Sequence, residues 1–313
     1  MAAIGDRVGG APVIQTKEHL MLFRHPGTMK ASLIGTLVCS LAACGGDNAG
    51  PLSIGNIDVG GYSLYYVCGG KGTPTVIIEA GAGDSTDHSW AKVFPEIRPD
   101  TKICRYSRAG LGLSDEAPIP RTSQDMVADL HALLNNANIE PPYVLVGHSI
   151  GGFNVRLYSA TYPDEVVGMV LVDASHPDYW TRLRNAIPPE DSDESLALSE
   201  MRNVLFDDGD DHPEGIDVDA SADEVRNTGP MGDIPLVVIT RAFGAEVASD
   251  LPPEFVRAAE QAWQELQVDL TTLSTNSTHV VAAKAGHFVQ VDEPQLVIDA
   301  IRKVVEEVRK KGR

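Results

Sequence analysis

The pentapeptide Gly147-His148-Ser149-Ile150-Gly151 constrains this chain more than any other stretch. An apolar run, Tyr143-Val144-Leu145-Val146, precedes it, and Phe153 to Tyr158 after it reads as helix. A serine between glycines at a strand-to-helix junction sits on a turn so tight that bulky neighbours would clash, and the turn projects its hydroxyl out of the sheet. Gly147, Gly151 and Gly152 meet that steric demand. The five letters alone match many chains by chance and describe a plain glycine turn equally well. The strand before and the helix after make Ser149 a candidate nucleophile.

Strand and helix patterns alternate along the rest of the chain. Tyr62 to Val67 alternates like a strand, Gly69 to Gly72 turns, and Thr75 to Ile78 is a continuous apolar run, together an opening hairpin feeding a buried strand. Thr101 to Tyr106 follows, then a helix capped by Thr122, with Met126, Val127, Leu130, Leu133 and Leu134 at helical spacing. Val166 to Val172, Pro235 to Ile239 and His279 to Ala283 read as further strands, and Pro294 opens an amphipathic helix with Val297, Ile301, Val304, Val305 and Val308 on one face. Such alternation predicts an α/β fold with a mostly parallel, doubly covered sheet. Between the strand ending near Asp173 and the one starting near Pro235 there is no apolar strand. Trp180, Leu183, Leu198, Met201 and Leu205 among acidic runs instead predict a helical cap over about residues 176–232.

Charge narrows the function classes. Asp plus Glu number 44 against 25 Lys plus Arg, a formal charge of -19, which repels phosphate backbones and argues against a nucleic-acid partner. There is no internal repeat and no glycine-rich phosphate-binding fingerprint with a downstream acid, so no nucleotide cofactor is expected. No His, Cys and carboxylate spacing matches a metal site.

The amino-terminal region reads as an address. From Met29 come Lys30, the mostly apolar run Ala31 to Leu41, and then Ala42-Ala43-Cys44, the layout of an export signal too short to span a membrane as a mature helix. Leu41-Ala42-Ala43-Cys44 resembles a bacterial lipoprotein signal, which implies lipid on Cys44 and a membrane anchor there. An ordinary secretory signal cut nearby is the alternative. On this division residues 29–43 are signal, 44–56 a glycine-rich tether and 57–313 the catalytic domain, while residues 1–28 are a misassigned start or an appended segment. Export leaves Cys68 and Cys104 as an even pair in an oxidising compartment, which predicts a disulfide.

The elbow, the order of elements and Ala285-Gly286-His287-Phe288 after the last strand resemble the α/β-hydrolase superfamily, specifically its bacterial serine hydrolases with a small helical cap, over roughly residues 57–310. The resemblance implies that His287 is the general base for Ser149. It leaves the acid open. Most members carry it after the penultimate strand, where this chain has Arg241-Ala242-Phe243-Gly244 and no carboxylate until Glu246 and Asp250, whereas some members use the strand end occupied here by Asp173. Asp178 is a further candidate. Oxyanion donors are expected from the N–H of Ile150 and, by alignment to the family's His-Gly-x pattern in which Ala80 replaces the usual histidine, from the N–H of Ala82.

A Ser-His-acid set with such a loop needs only water, so hydrolysis of a small-molecule carboxylic ester through an acyl-enzyme, without a cofactor, is the leading expectation. Lactonase, thioesterase and amidase activities use the same groups. Epoxide hydrolase and haloalkane dehalogenase relatives place aspartate where Ser149 stands. A non-catalytic ligand-binding lipoprotein on the same fold is the alternative of a different class.

Overall fold

The computed structural model describes residues 49–206, 214–244 and 250–312. Its sheet is 8-stranded in the order β1-β2-β4-β3-β5-β6-β7-β8. Strands β1 (Ser53–Asp58) and β2 (Ser63–Gly69) form an antiparallel hairpin, and β2 also runs antiparallel to β4 (Ile103–Tyr106). From β4 onward the pairing is parallel, through β3 (Thr75–Glu79), β5 (Tyr143–His148), β6 (Val166–Val172), β7 (Leu236–Arg241) and β8 (Ser277–Ala282).

The helices are α1 (Phe94–Ile97), α2 (Ser123–Asn136), α3 (Gly151–Thr161), α4 (Tyr179–Ala186), α5 (Leu196–Phe206), α6 (Val218–Arg226), α7 (Pro253–Leu270), α8 (Val289–Asp292) and α9 (Pro294–Lys311). The central strands are buried almost throughout and mostly apolar because helices cover both faces. Alternate residues divide between two cores, as a period of two demands. Ile77, Leu145, Leu171 and Val238 pack with Leu130 and Leu133 of α2 and Val155 of α3. Val76, Val144, Val146, Val170 and Ile239 pack with Ile97 of α1 and Val297, Ile301 and Val304 of α9. Helix α9 opens on Pro294, where no helical N–H partner is lost, and ends on Arg309, Lys310 and Lys311, whose charge suits the negative helix terminus.

Two expectations need correction. The opening hairpin is β1 with β2, and β4 lies between β2 and β3. A wholly buried run such as Thr75–Glu79 gains most between two neighbours, so β3 takes an interior place rather than the far arm of a hairpin. Strand β1 also occupies part of the stretch expected to be tether. Its residues are mostly exposed at the sheet edge, so Ser53-Ile54-Gly55-Asn56-Ile57-Asp58 shows little apolar signal.

Cys68 of β2 and Cys104 of β4 are register partners and are joined by the expected disulfide. Its 36-residue separation corresponds to roughly 4 kcal/mol of loop-closure entropy withdrawn from the unfolded chain. Among the described residues no helix is long and apolar enough to cross a membrane. The apolar run from Ala31 and Cys44 lie outside the described residues.

Helices α4, α5 and α6 form the cap between β6 and β7. Leu183, Leu198 and Leu205 bury themselves against Leu251 and Phe255 at the start of α7, while Ala222 and Val225 of α6 pack on Ile150 and Phe153. The cap therefore touches the turn that carries Ser149.

Candidate active site

Strand β5 ends at His148, and Ser149 turns the chain into α3 with φ 53. A non-glycine residue in this left-handed region costs on the order of 1–3 kcal/mol and needs outside support. Here the Ser149 carbonyl accepts from Gly152 N and Ser175 N, each at 2.9 Å. The loop after β3 lies directly on the turn. A Cβ at Gly81 would stand 2.8 Å from His148 Nδ1 and 3.2 Å from Ser149 Cβ, and one at Gly151 would stand 2.6 Å from the carbonyl oxygens of Glu79 and Ala80. Glycine at these positions is what lets backbone reach the serine so closely.

Asp173 ends β6, also with positive φ (40), and is fully buried. Its Oδ2 accepts from His287 Nδ1 at 2.7 Å and from Arg241 Nη1 at 3.2 Å, and its Oδ1 accepts from Trp263 Nε1 at 2.8 Å and Arg241 N at 3.0 Å. Burial by itself pushes the Asp173 carboxyl up, but the bond to His287 and the Arg241 charge outweigh it and hold the group below its ordinary value. Asp173 is thus an ionised acceptor. A proton on Nδ1 directed at that carboxylate makes Nε2 the acceptor nitrogen in the neutral tautomer of His287. Its loop is held in turn by α8 and the residue after it, Gly286 N donating to Asp292 Oδ2 at 2.9 Å and Lys284 N to Glu293 Oε2 at 2.7 Å.

His148 joins this group. Its ring lies against His287 and Phe288, with centroids 4.6 and 5.1 Å apart, and its Nε2–H donates to the His287 carbonyl at 3.0 Å. Burial, then the neighbouring His287, push its pKa down to about 3, so it is a neutral donor that braces the histidine loop. Ile150 and Ala82 share an apolar cluster beside Ser149, and among the described residues neither N–H donates to a protein acceptor.

Comparison with known proteins decides the family. The α/β-hydrolase-fold family model matches residues 74–199. The uncharacterized protein YqjL of Bacillus subtilis is 30% identical over 235 residues, which cover 74% of this chain and 83% of that protein. The chain belongs to the α/β-hydrolase family. Among solved structures, mouse α/β-hydrolase domain-containing protein 10 superposes with a TM-score of 0.60 at 14% identity, over 82% of this chain and 99% of that one. A loop variant of the haloalkane dehalogenase DbeA from Bradyrhizobium elkanii gives 0.60 at 14% identity, over 84% and 99%. At such identities the likeness concerns the fold alone.

Within this hydrolase the structure brings Asp173 and His287 together and places Ser149 next to His148, which packs on His287. Of the other carboxylates considered, Glu246 lies outside the described residues. Asp250 is exposed, and its carbonyl accepts from Ser195 of the cap at 3.2 Å. Asp178 pairs with Arg226 at 2.8 Å on the cap surface. His176 bonds Asp269 at 3.1 Å and accepts from Asp178 N at 3.1 Å.

Several residues of the hydrolase site carry no sequence signal of the role they take. Arg241 was legible only as a residue after an apolar strand, yet the strand runs through it, and its side chain links Asp173 to Glu260, Nη2 donating to Oε1 at 2.6 Å. Trp263 belongs to α7, packs edge-on to His287 at 5.8 Å and lies under the Arg241 guanidinium at 4.6 Å. Glu79, a fully buried carboxylate ending the mostly apolar β3, is the kind of pattern from which a buried ion pair beside the site can be read.

Proposed function

We propose that this protein is a serine hydrolase that cleaves carboxylic esters through an acyl-enzyme. The observation that carries the reading is the 2.7 Å contact between Asp173 Oδ2 and His287 Nδ1, on the same end of the sheet as the strained Ser149 turn. Asp173 fixes the tautomer that leaves His287 Nε2 basic, so that Nε2 takes the Ser149 proton as Oγ attacks the ester carbonyl. The N–H groups of Ile150 and Ala82 receive the developing oxyanion. The imidazolium then returns the proton to the departing alkoxide, and water repeats the sequence to release the acid and regenerate Ser149. Serine at the position where dehalogenase relatives carry aspartate favours acyl transfer. Lactone, thioester and amide substrates use the same groups and differ only in the pocket.

From the signal-like residues 29–44 we also propose that the enzyme is an exported lipoprotein held at a membrane through Cys44, with the Cys68–Cys104 disulfide in keeping with an oxidising compartment. The test uses protein beginning after Cys44 and a ladder of p-nitrophenyl acyl esters, beside Ser149→Ala and His287→Ala. Turnover that depends on chain length and disappears in both variants supports the reading. A folded protein whose Ser149 fails to react with a fluorophosphonate is a ligand-binding protein instead. A reactive Ser149 without ester turnover points to lactones, thioesters or amides.

A further inference from the structure

Arg108, two residues past the end of β4, is buried, 3% exposed, and all of its N–H groups are engaged. Nε donates to Glu214 Oε1 at 2.6 Å and Nη2 to Glu214 Oε2 at 3.1 Å; Nη1 donates to Glu79 Oε1 at 2.9 Å. The remaining two reach backbone, Nη1 to the Ala80 carbonyl and Nη2 to the Gly81 carbonyl, both at 2.7 Å. Glu79 also accepts from Asn154 of α3 at 2.8 Å and from the Tyr106 hydroxyl. Glu214 accepts a third bond, from Gly83 N at 2.8 Å. Burial works against the Arg108 charge, but Glu214 and Glu79 outweigh it and keep the guanidinium protonated.

The contact to Gly81 matters because of peptide geometry. In a trans peptide the C=O of one residue and the N–H of the next point to opposite sides of one plane. The Gly81–Ala82 bond is trans, since the cis bonds present all precede proline. Fixing the Gly81 oxygen on Arg108 therefore fixes the direction of the Ala82 N–H on the other edge. Gly83 N, one residue further, is clamped by Glu214, so the peptide carrying the donor is held from both sides. Glu214 belongs to the cap, and the residues after it are anchored on Arg121, just before α2: the Gly215 carbonyl accepts from Arg121 N at 2.7 Å, Ile216 bridges Arg121, and Asp217 N donates to the Arg121 carbonyl at 2.8 Å.

We propose that Arg108 and Glu214 are positioning residues that aim the Ala82 N–H at the oxyanion, so that the cap completes the oxyanion hole without touching substrate. The proposal rests on the serine-hydrolase reading above. Arg108 acts through a fork: it ties two adjacent carbonyls and two carboxylates at once, and lysine, with three donors and no plane, cannot do the same. A donor held in advance is worth far more to a transition state than to a bound ester, so the effect belongs in kcat.

The test compares the parent with Arg108→Lys, which keeps a cation between the buried carboxylates, and Glu214→Gln, which keeps the shape. Each is measured for kcat and KM on the best p-nitrophenyl ester and for inhibition by an alkyl trifluoromethyl ketone, whose serine adduct bears an oxyanion. The expected result is a fall in kcat of roughly 10- to 100-fold for Arg108→Lys and roughly 3- to 10-fold for Glu214→Gln. KM stays within about twofold and the ketone Ki rises by the factor that kcat/KM loses. If Arg108→Lys does not fold, Glu214→Gln decides. Folded variants with a lower Tm but undiminished kcat and Ki would overturn the positioning role alone. A parent without any ester or ketone reactivity would overturn the serine-hydrolase reading and the positioning role with it.

Discussion

Trp263 donates its indole N–H to Asp173 Oδ1 over 2.8 Å, so a helix that supplies no reacting group sets the plane of the carboxylate facing His287. Both oxygens of Asp173 are doubly occupied, and all the donors come from elements that enter after the cap. Carboxylate orientation is thereby settled before any substrate arrives.

Replacing Asp173 by asparagine puts an N–H group within reach of His287 Nδ1 and favours the tautomer with the proton on Nε2, the nitrogen that the proposed mechanism uses as base. We expect ester kcat to fall about 10⁴-fold with KM little changed, while Asp250→Asn and Glu246→Gln each stay within about twofold. Steady-state kinetics on the three variants, with circular dichroism to confirm folding, checks this; a large loss in Glu246→Gln with Asp173→Asn active would reassign the acid.

Trp263→Phe keeps most of the apolar ring and deletes one bond to a buried charge. Such a bond is worth roughly 1.5–3 kcal/mol. Urea unfolding should show a loss of that order, and kcat should fall severalfold rather than by orders of magnitude, because His287 and Arg241 still hold the carboxylate.

Acid should destabilise the fold through His148. Its folded pKa is about 3 against an ordinary 6.5 when unfolded, so between those values the unfolded chain binds a proton that the folded one refuses. Stability from this group is complete above pH 6.5 and falls with decreasing pH, by roughly 3 kcal/mol at pH 4. His176 and His279 are also held below their ordinary value, chiefly by burial, and add to the slope. The stabilising effect of the lowered Asp173 carboxyl is lost only at lower pH, below its unfolded value. Denaturant melts from pH 7 to 4 on the parent and His148→Gln isolate the His148 share; equal slopes would show that the ring is not buried neutral.

Reduction of the Cys68–Cys104 bond should cost the folded state about 2–5 kcal/mol. Melting with and without a reductant, and of the Cys68→Ser, Cys104→Ser pair, measures it, and an unchanged Tm would mean the thiols are not joined in solution.

The reach of the sequence follows from the distance over which each interaction acts. Ser149 is legible because the strand, the glycines and the helix that expose it are its covalent neighbours. Asp173 and His287 are legible as strand-end residues, though their pairing spans 114 positions and was left open among several carboxylates. Arg108, Glu214 and Trp263 escape because their partners lie 29, 106 and 90 residues away with no repeating pattern between them. The edge strand β1 escapes for another reason: a strand that buries one neighbour and faces water has little need of apolar residues.

The cap leaves the sheet after β6 and re-enters at β7, strands that are hydrogen-bonded neighbours, with Asp173 N meeting the Ile239 carbonyl at 2.7 Å. An insert whose two ends lie side by side is a module that gene rearrangement can exchange while the sheet stays whole. Glu214 limits that freedom. A transplanted cap would have to deliver a carboxylate to Arg108, and a lineage that trades one cap for another would be expected to carry that single acidic position through the exchange or to change the arginine with it.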